Sequence, residues 1–408
     1  MSIDTAASDL ADELSRQSYV EILCHHDADG IAAGSIMATA LFRAGIPFRL
    51  RITHRVSEQN LPKTRPLLLC DLGSGLSSLP EDCMVIDHHL PFFEGPFHVN
   101  PRLFGIDGDT ELSAAGAAYL VANAFGDNRD LAGLFLLGVV GDGQALEGKN
   151  RELYLEGMGN GVISKKRGIR LPGRTIEEQI MYATEPFLPG VSGSHEEAVK
   201  LISVSTTDDV LSPDMLMSLL VLNAADTCRP EAIKKLWGDT WQLEREVIED
   251  AFTMTCVVDA CGKAGYGSDA ASLCLRATVN MDKAYEAAFN HRSAIIQEMS
   301  RFVSSPRQEG VHQFSSSDRH LVSDIADSIH LNIPGDYPVI VSAEKEDNTC
   351  ICSIRGHPGN NRMLGEIVHD LAIECGGTGG GHQFRAGATI SCEQMNRFTT
   401  GIAEVCGR

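Results

Sequence analysis

Four short apolar runs in this sequence end abruptly in residues that bind metal ions, and this pattern constrains the fold more than any other feature. Tyr19 to Cys24 gives way to His25, His26, Asp27, Ala28, Asp29 and Gly30. Leu67 to Cys70 ends at Asp71, Met84 to Ile86 at Asp87, His88 and His89, and Leu131 to Val140 at Gly141, Asp142 and Gly143. The first three runs read as buried strands; periodicity leaves the fourth open between helix and strand. In an open α/β sheet, ligands bind beyond the carboxyl ends of strands, where loops from separate strands converge. The four ends can therefore meet in one pocket.

Taken singly, Asp71, Asp87 or Asp142 is an ordinary turn residue after an apolar run. Taken together they need a cation, because several carboxylates buried side by side are strongly unfavourable without one. Alternate residues of an extended segment project to one side, so His25, Asp27 and Asp29 offer an imidazole and two carboxylates together, with His26 on the other side. Asp71, Asp142 and the His88/His89 pair complete a set rich in carboxylate and imidazole and free of thiolate. Such a set suits Mn²⁺ better than a structural zinc, and its histidines disfavour an all-oxygen Mg²⁺ or Ca²⁺ site. The donors suffice for two ions sharing a carboxylate.

A chain of 408 residues with 43% hydrophobic content is more than one compact core usually holds. The first third alternates short strands with helix-like stretches such as Gly30 to Ala44, which predicts βα units and a mainly parallel sheet. From Glu196 to Val303, including Trp241 to Phe252, the pattern turns helical. Past the polar stretch Ser304 to Asp318, Tyr337 to Ala343 and Thr349 to Ile354 read as neighbouring strands joined by a charged turn. The expected organisation is an α/β chain: a mainly parallel-sheet domain over 1–195, a helical connector over 196–318 and a smaller α/β domain over 319–408.

No apolar stretch reaches the ~20 residues of a membrane span, and Met1 to Tyr19 is acidic and polar where a signal peptide would be basic then apolar, so a cytoplasmic protein is expected. The 12 cysteines are scattered singly and read as reduced, buried small hydrophobes. A net charge of −21 excludes a general duplex-DNA coat, which needs clustered Lys and Arg for counterion release. Lys165, Lys166, Arg167, Arg170 and Arg174 form the one basic cluster, an exposed loop that could guide a strand. Gly157, Gly159 and Gly161 lack the preceding strand and following acid of a dinucleotide fingerprint.

The series His25-His26-Asp27-Ala28-Asp29-Gly30, Cys70-Asp71, Asp87-His88-His89 and Gly141-Asp142-Gly143 resembles motifs one to four of the DHH phosphoesterases, in order. Gly379-Gly380-Gly381-His382 with Arg385-Ala386-Gly387 resembles the signature of the accessory DHHA1 domain. Asp259-Ala260-Cys261-Gly262-Lys263 followed by Leu273-Cys274-Leu275 is similar to a segment of archaeal RecJ-like proteins. The resemblance implies a DHH domain, the helical connector and a DHHA1 domain, with substrate in the cleft between the domains. It makes His25, Asp27 and Asp71 ligands of one Mn²⁺ and Asp29, Asp71, His88 and Asp142 ligands of the other, with Mg²⁺ or Co²⁺ as substitutes. His89 would face the scissile phosphate and Asp87 would orient the histidines. Arg355 and His382 would hold nucleotide phosphates, and Gly379, Gly380 and Gly381 would let main-chain N–H groups approach an anion.

The implied activity is hydrolysis of single-stranded DNA or RNA from an end to mononucleotides, by in-line attack of an activated water with no covalent enzyme intermediate. Within the same superfamily, short oligoribonucleotides and linear or cyclic dinucleotides are the alternative substrates, which the acidic charge favours. A replisome scaffold is the alternative from another class, because archaeal relatives associate with the GINS complex and a eukaryotic relative has lost catalysis. Here every ligand position of the motifs is intact.

Overall fold

The computed structural model describes residues 2–80, 82–306, 309–358, 362–381 and 383–406. The chain divides into two compact units, Met1–Gly168 with Asp239–Phe289, and Ile169–Gly238 with Asn290–Arg408.

The first unit is built on five parallel strands: β1 (Val20–His25), β2 (Phe48–Thr53), β3 (Leu67–Cys70), β4 (Cys83–Ile86) and β5 (His98–Val99). Their order is β2-β1-β3-β4-β5. The chain therefore leaves β1 toward β2 on one side and returns to β3 on the other, which puts the topological switch point between β1 and β3. Helices α1 (Ile3–Ser15), α2 (Ala28–Arg43), α3 (Ala114–Phe125) and α4 (Ala132–Gly141) build the main core with one face of the sheet. Small residues bring α2 close: a Cβ on Gly34 would stand 2.9 Å from that of Cys24 in β1. The other face carries Leu23, Leu67, Leu69 and Val85.

The apolar run left open by the sequence is a helix. Every residue of α4 from Ala132 to Val139 is buried. A helix buried on all sides shows no amphipathic period.

In the second unit, five strands lie in the order His312–Ser315, Val339–Glu344, Thr349–Arg355, Arg385–Ser391 and Thr378–Gly381. The Val339–Glu344 and Thr349–Arg355 strands are antiparallel neighbours, as the charged turn between them predicts. Helices Val322–Asn332 and Leu364–Glu374 pack on this sheet. Residues 169–238 form their own core around Leu171, Leu188, Leu216 and Leu220.

Four expectations need correction. The 196–318 stretch is not a connector: it is shared between the units, and residues 239–289 belong with the parallel sheet. Trp241 to Phe252 is not helical throughout, since Trp237–Leu243 is a strand and the next helix starts at Ala251. There Trp241 stacks on Phe252 at 5.4 Å, a contact that favours the strand over the charge pattern. Cys350 and Cys392 are disulfide-bonded, because the antiparallel pair that ends beside them brings their Cα atoms to 5.2 Å; ten cysteines are free. The basic cluster is not a single loop: Lys165, Lys166 and Arg167 lie in the strand Ile163–Ile169, paired with Trp237–Leu243, and only Arg170 and Arg174 follow in the connecting segment.

Candidate metal centre

β1 ends at His25, and Asp27 caps α2, its carboxylate accepting the Gly30 N–H at 2.9 Å. Asp29 is therefore not part of an extended segment, as the alternation had it, but sits in the first turn of α2. It accepts the Ala114 and Ala115 N–H groups at 2.8 Å each, where α3 begins. Asp71 follows β3 with φ +56°, a left-handed conformation uncommon for any residue but glycine and tolerated by Asp and Asn.

Asp142 caps the end of α4. Gly143 at φ +66° ends that helix, with the Gly143 N–H donating to Val140 and that of Gln144 to Val139, a Schellman closure.

These ends converge at the switch point. His25 Nδ1 lies 2.8 Å from Asp27 Oδ2 and 3.2 Å from Asp71 Oδ2. On the other side, His88 Nε2 lies 3.3 Å from Asp71 Oδ1, 3.5 Å from Asp142 Oδ2 and 3.8 Å from Asp29 Oδ2. Three metal-capable groups overlap: His25 with Asp27 and Asp71, Asp29 with His88 and Asp142, and Asp71 with His88 and His89. No cysteine enters any of them. Asp71 thus turns one oxygen toward each set.

A buried carboxylate oxygen needs a donor or a cation. Asp71 Oδ1 and Asp142 Oδ2 are buried and accept no hydrogen bond among the described residues, so the donor set fits divalent ions. The protonation states agree. Burial, then the Asp71 charge, pushes the Asp29 carboxyl up to about 7, and burial with Asp29 beside it pushes Asp142 well above the usual carboxylate range. Burial alone would lower His25, but Asp27 and Asp71 hold it well above the ordinary imidazole value; His88 is raised likewise by Asp71, Asp142 and Asp29. Without metal, the cluster balances its charge with protons.

A second layer sets the histidines. The His88 Nδ1–H donates to the Gly108 carbonyl at 2.6 Å, which leaves Nε2 facing the carboxylates. Gln144 donates to that same carbonyl at 2.9 Å. Asp87 Oδ1 accepts the His88 N–H at 2.8 Å and His89 Nδ1–H at 2.8 Å, while Oδ2 accepts the Ser74 N–H at 3.0 Å. Burial opposes ionisation of Asp87, but His89 and these bonds hold it well below the usual range. His89, more exposed than His88, is lowered by burial and raised more by Asp87, to about 9. Asn100 and Arg102 donate to the His89 and His88 carbonyls, and His98 bonds Ser74 Oγ at 2.9 Å. Sequence reasoning missed Ser74, His98, Asn100, Arg102, Gly108 and Gln144; no spacing signals them.

His26 meets His25 edge-on at 4.4 Å and lies 4.0 Å from the His54 ring. Burial, and then the His25 charge, lowers it to about 3, so it is neutral.

A Cβ on Gly138 would overlap Asp29 Oδ1 and stand 2.6 Å from Ser113 Oγ. Gly138→Ala is therefore expected to destabilise the first unit by about 1–3 kcal/mol from overpacking, more than the roughly 1 kcal/mol that alanine gains in helix propensity. Thermal melts with and without Mn²⁺ check this. Wild-type stability and metal response in that variant would show that α4 does not press on Asp29.

In the second unit, the five N–H donors of Arg355 are engaged: two with Asp327 at 2.6 and 2.9 Å, the others with Ser353, Ile354 and Ser323. Arg385, opposite it across the sheet, is 64% exposed and 3.4 Å from Asp327. Gly379 lets the Leu364–Glu374 helix approach its strand, since a Cβ there would stand 2.9 Å from that of Ala372; at Gly380 the space is open. Gly381 ends the strand, and a Cβ on Gly365 would overlap its carbonyl. His382 lies outside the described residues.

Residues 313–407 match the DHHA1 domain family. The whole fold is similar to RecJ in complex with Mn²⁺ from Thermus thermophilus, at a TM-score of 0.62 and 16% identity over 98% of this chain and 54% of that one. The chain has a RecJ-like fold, and its residues 313–407 match the DHHA1 domain. It spans about half the length of that RecJ. The fold is also similar to Cdc45 from Entamoeba histolytica, at a TM-score of 0.64 and 13% identity over 98% of both chains. An uncharacterized protein of Methanocaldococcus jannaschii is 26% identical, over 97% of this chain and 94% of its own length. No helix among the described residues is long and apolar enough to cross a membrane.

Proposed function

We propose that this chain is a metal-dependent phosphodiesterase that digests single-stranded DNA or RNA from an end to mononucleotides. The observation that carries this reading is Asp71, whose Oδ2 faces His25 and Oδ1 faces His88, as a carboxylate bridging two ions would. His25, Asp27 and Asp71 would hold one Mn²⁺, and Asp29, Asp71, His88 and Asp142 the other, with Mg²⁺ or Co²⁺ as substitutes. Bound there, the ions supply positive charge to phosphoryl oxygens and an activated water.

The chain's own groups do the rest. Gly108 and Gln144 fix His88 in the tautomer that keeps Nε2 for a ligand. Asp87 holds the His89 Nδ1–H, so that Nε2–H can donate to a non-bridging phosphoryl oxygen as charge builds there. Gly379, Gly380, Gly381 and His382 are assigned to nucleotide phosphates. Arg355 has no donor left for that task, which Arg385 can take with Arg355 and Asp327 behind it.

The likeness to Cdc45 supports a second reading, a scaffold that binds GINS. The intact ligand set favours catalysis. Product analysis on end-labelled single strands of increasing length, with Mn²⁺, tests both. Mononucleotides released progressively from one end are expected. Cleavage confined to dinucleotides and very short strands would make this a small-substrate enzyme. No cleavage by protein shown to bind Mn²⁺, with GINS recovered from native extract, would favour the scaffold.

A further inference from the structure

A second pocket in the first unit borders the metal centre and carries chemistry the centre does not use. This cavity of 410 Å³ is bounded by Arg49, Arg51, Thr53 and His54 and, across from them, by His26 and Ser268. Every residue from Arg49 to Thr53 lines it, although alternate residues of a strand point to opposite faces. Consecutive residues share a wall only along a strand's edge. β2 is an edge strand of its sheet, so that wall includes unpaired main-chain N–H groups. Across the cavity, Gly267 and Ser268 open the Gly267–Cys274 helix, whose first N–H groups have no acceptor within the helix.

The charge in the cavity runs against that of the chain. The sequence holds 55 Asp and Glu against 34 Lys and Arg, yet no carboxylate lines this pocket. Arg49 has no ion-pair partner among the described residues, and Arg51 is 3.3 Å from the buried Glu21. The basic cluster singled out by sequence is more neutralised: Lys165 pairs with Asp239 at 2.7 Å, Arg174 with Glu178, and Lys166 bonds the Gln242 side chain. His26 links the pocket to the centre, since it stands between His25 and Asp27 in the chain and its ring touches both His25 and His54.

We propose that this pocket is a phosphate subsite, holding a backbone phosphate of the same single strand whose scissile bond lies at the metal centre. The subsite rests on the phosphodiesterase reading and adds a point of grip to it. Two guanidinium groups, the Ser268 hydroxyl and main-chain N–H groups match phosphate oxygens. Free orthophosphate presents the same oxygens, so the two sources are separated by experiment. Arginines on an edge strand also block sheet-to-sheet association. Charge reversal separates these roles, because Glu on the edge still repels another edge but also repels phosphate.

The test is fluorescence anisotropy of labelled oligothymidylates, from the dinucleotide upward, with the full chain in EDTA at several salt concentrations. Arg49→Glu is expected to weaken the longer strands roughly tenfold and to reduce the slope of log affinity against log salt by about 0.7, one phosphate's share for a single strand. Arg49→Lys should keep the wild-type slope, and Lys165→Ala should keep both affinity and slope. Unchanged affinity and slope in Arg49→Glu would overturn the subsite while leaving the phosphodiesterase reading intact. Failure of the wild-type chain to bind any strand in EDTA would also overturn the subsite, whereas the phosphodiesterase reading stands or falls on the cleavage assay with Mn²⁺. Orthophosphate that competes as strongly as the strand would make this a free-phosphate site and would also overturn the proposal.

Discussion

Asp71→Asn should abolish turnover on single strands, lowering the rate at least a thousandfold, which corresponds to about 4 kcal/mol of barrier. Asn is the informative replacement because Asp71 sits at φ +56°. Alanine there would add roughly 1–2 kcal/mol of left-handed backbone strain and confuse a lost ligand with a distorted loop. Asn keeps the backbone and removes the charge that both halves of the cluster share. Mn²⁺ titration by calorimetry should then lose binding at both positions together. More than a tenth of the wild-type rate in saturating Mn²⁺, or an undiminished Mn²⁺ stoichiometry, would sink the bridging role.

The parts of this molecule legible in its sequence are those decided locally. Leu67 to Cys70 and Cys83 to Ile86 are too apolar to lie anywhere but in a core, and the polar residues after them have to stand at the sheet's edge. The switch point between β1 and β3 follows from the strand order, and it selects which strand ends meet. The alternation from His25 to Asp29 suggested three ligands on one side; the helix begins at Ala28, so Asp29 reaches the cluster from its first turn instead.

What stayed hidden depends on partners distant in sequence. Asp29 is fixed by Ala114 and Ala115, and His88 by Gly108, which Gln144 also holds. None of these has a residue type that marks it. The return of residues 239–289 to the first unit is invisible to composition, because a helix looks the same whichever core it joins. The basic cluster at 165–174 misleads for the same reason: Asp239 and Gln242 reach it from a strand some seventy residues away. Arg355 carries the type expected of a phosphate ligand, but its donors are spent on Asp327 and the hydroxyls around it.

Metal binding and pH should be linked with a definite sign. Asp29 has its carboxyl raised to about 7, so the stability it contributes is fully present below the ordinary carboxylate value and lost as pH rises through about 7. His89, raised to about 9, contributes stability present below the ordinary imidazole value and lost as pH rises through about 9; His25 and His88 act in the same direction. Asp27 and Asp87, both lowered, lose their contribution only as pH falls through the acid range. Across the neutral and mildly alkaline range, therefore, these shifts make the folded metal-free cluster hold more protons than the unfolded chain. Stability must then fall as pH rises. Divalent ions displace those protons, so their affinity rises over the same range. In EDTA the melting temperature should decline from neutral to mildly alkaline buffer, while the increase given by saturating Mn²⁺ grows. At a hundredfold excess over the dissociation constant that increase corresponds to about 2.7 kcal/mol. Differential scanning fluorimetry in matched buffers reads both trends, and Asp71→Asn should flatten both. A metal-free melting temperature that climbs with pH, or an Mn²⁺ increment indifferent to it, would mean that the cluster is not held together by protons that a metal ion replaces.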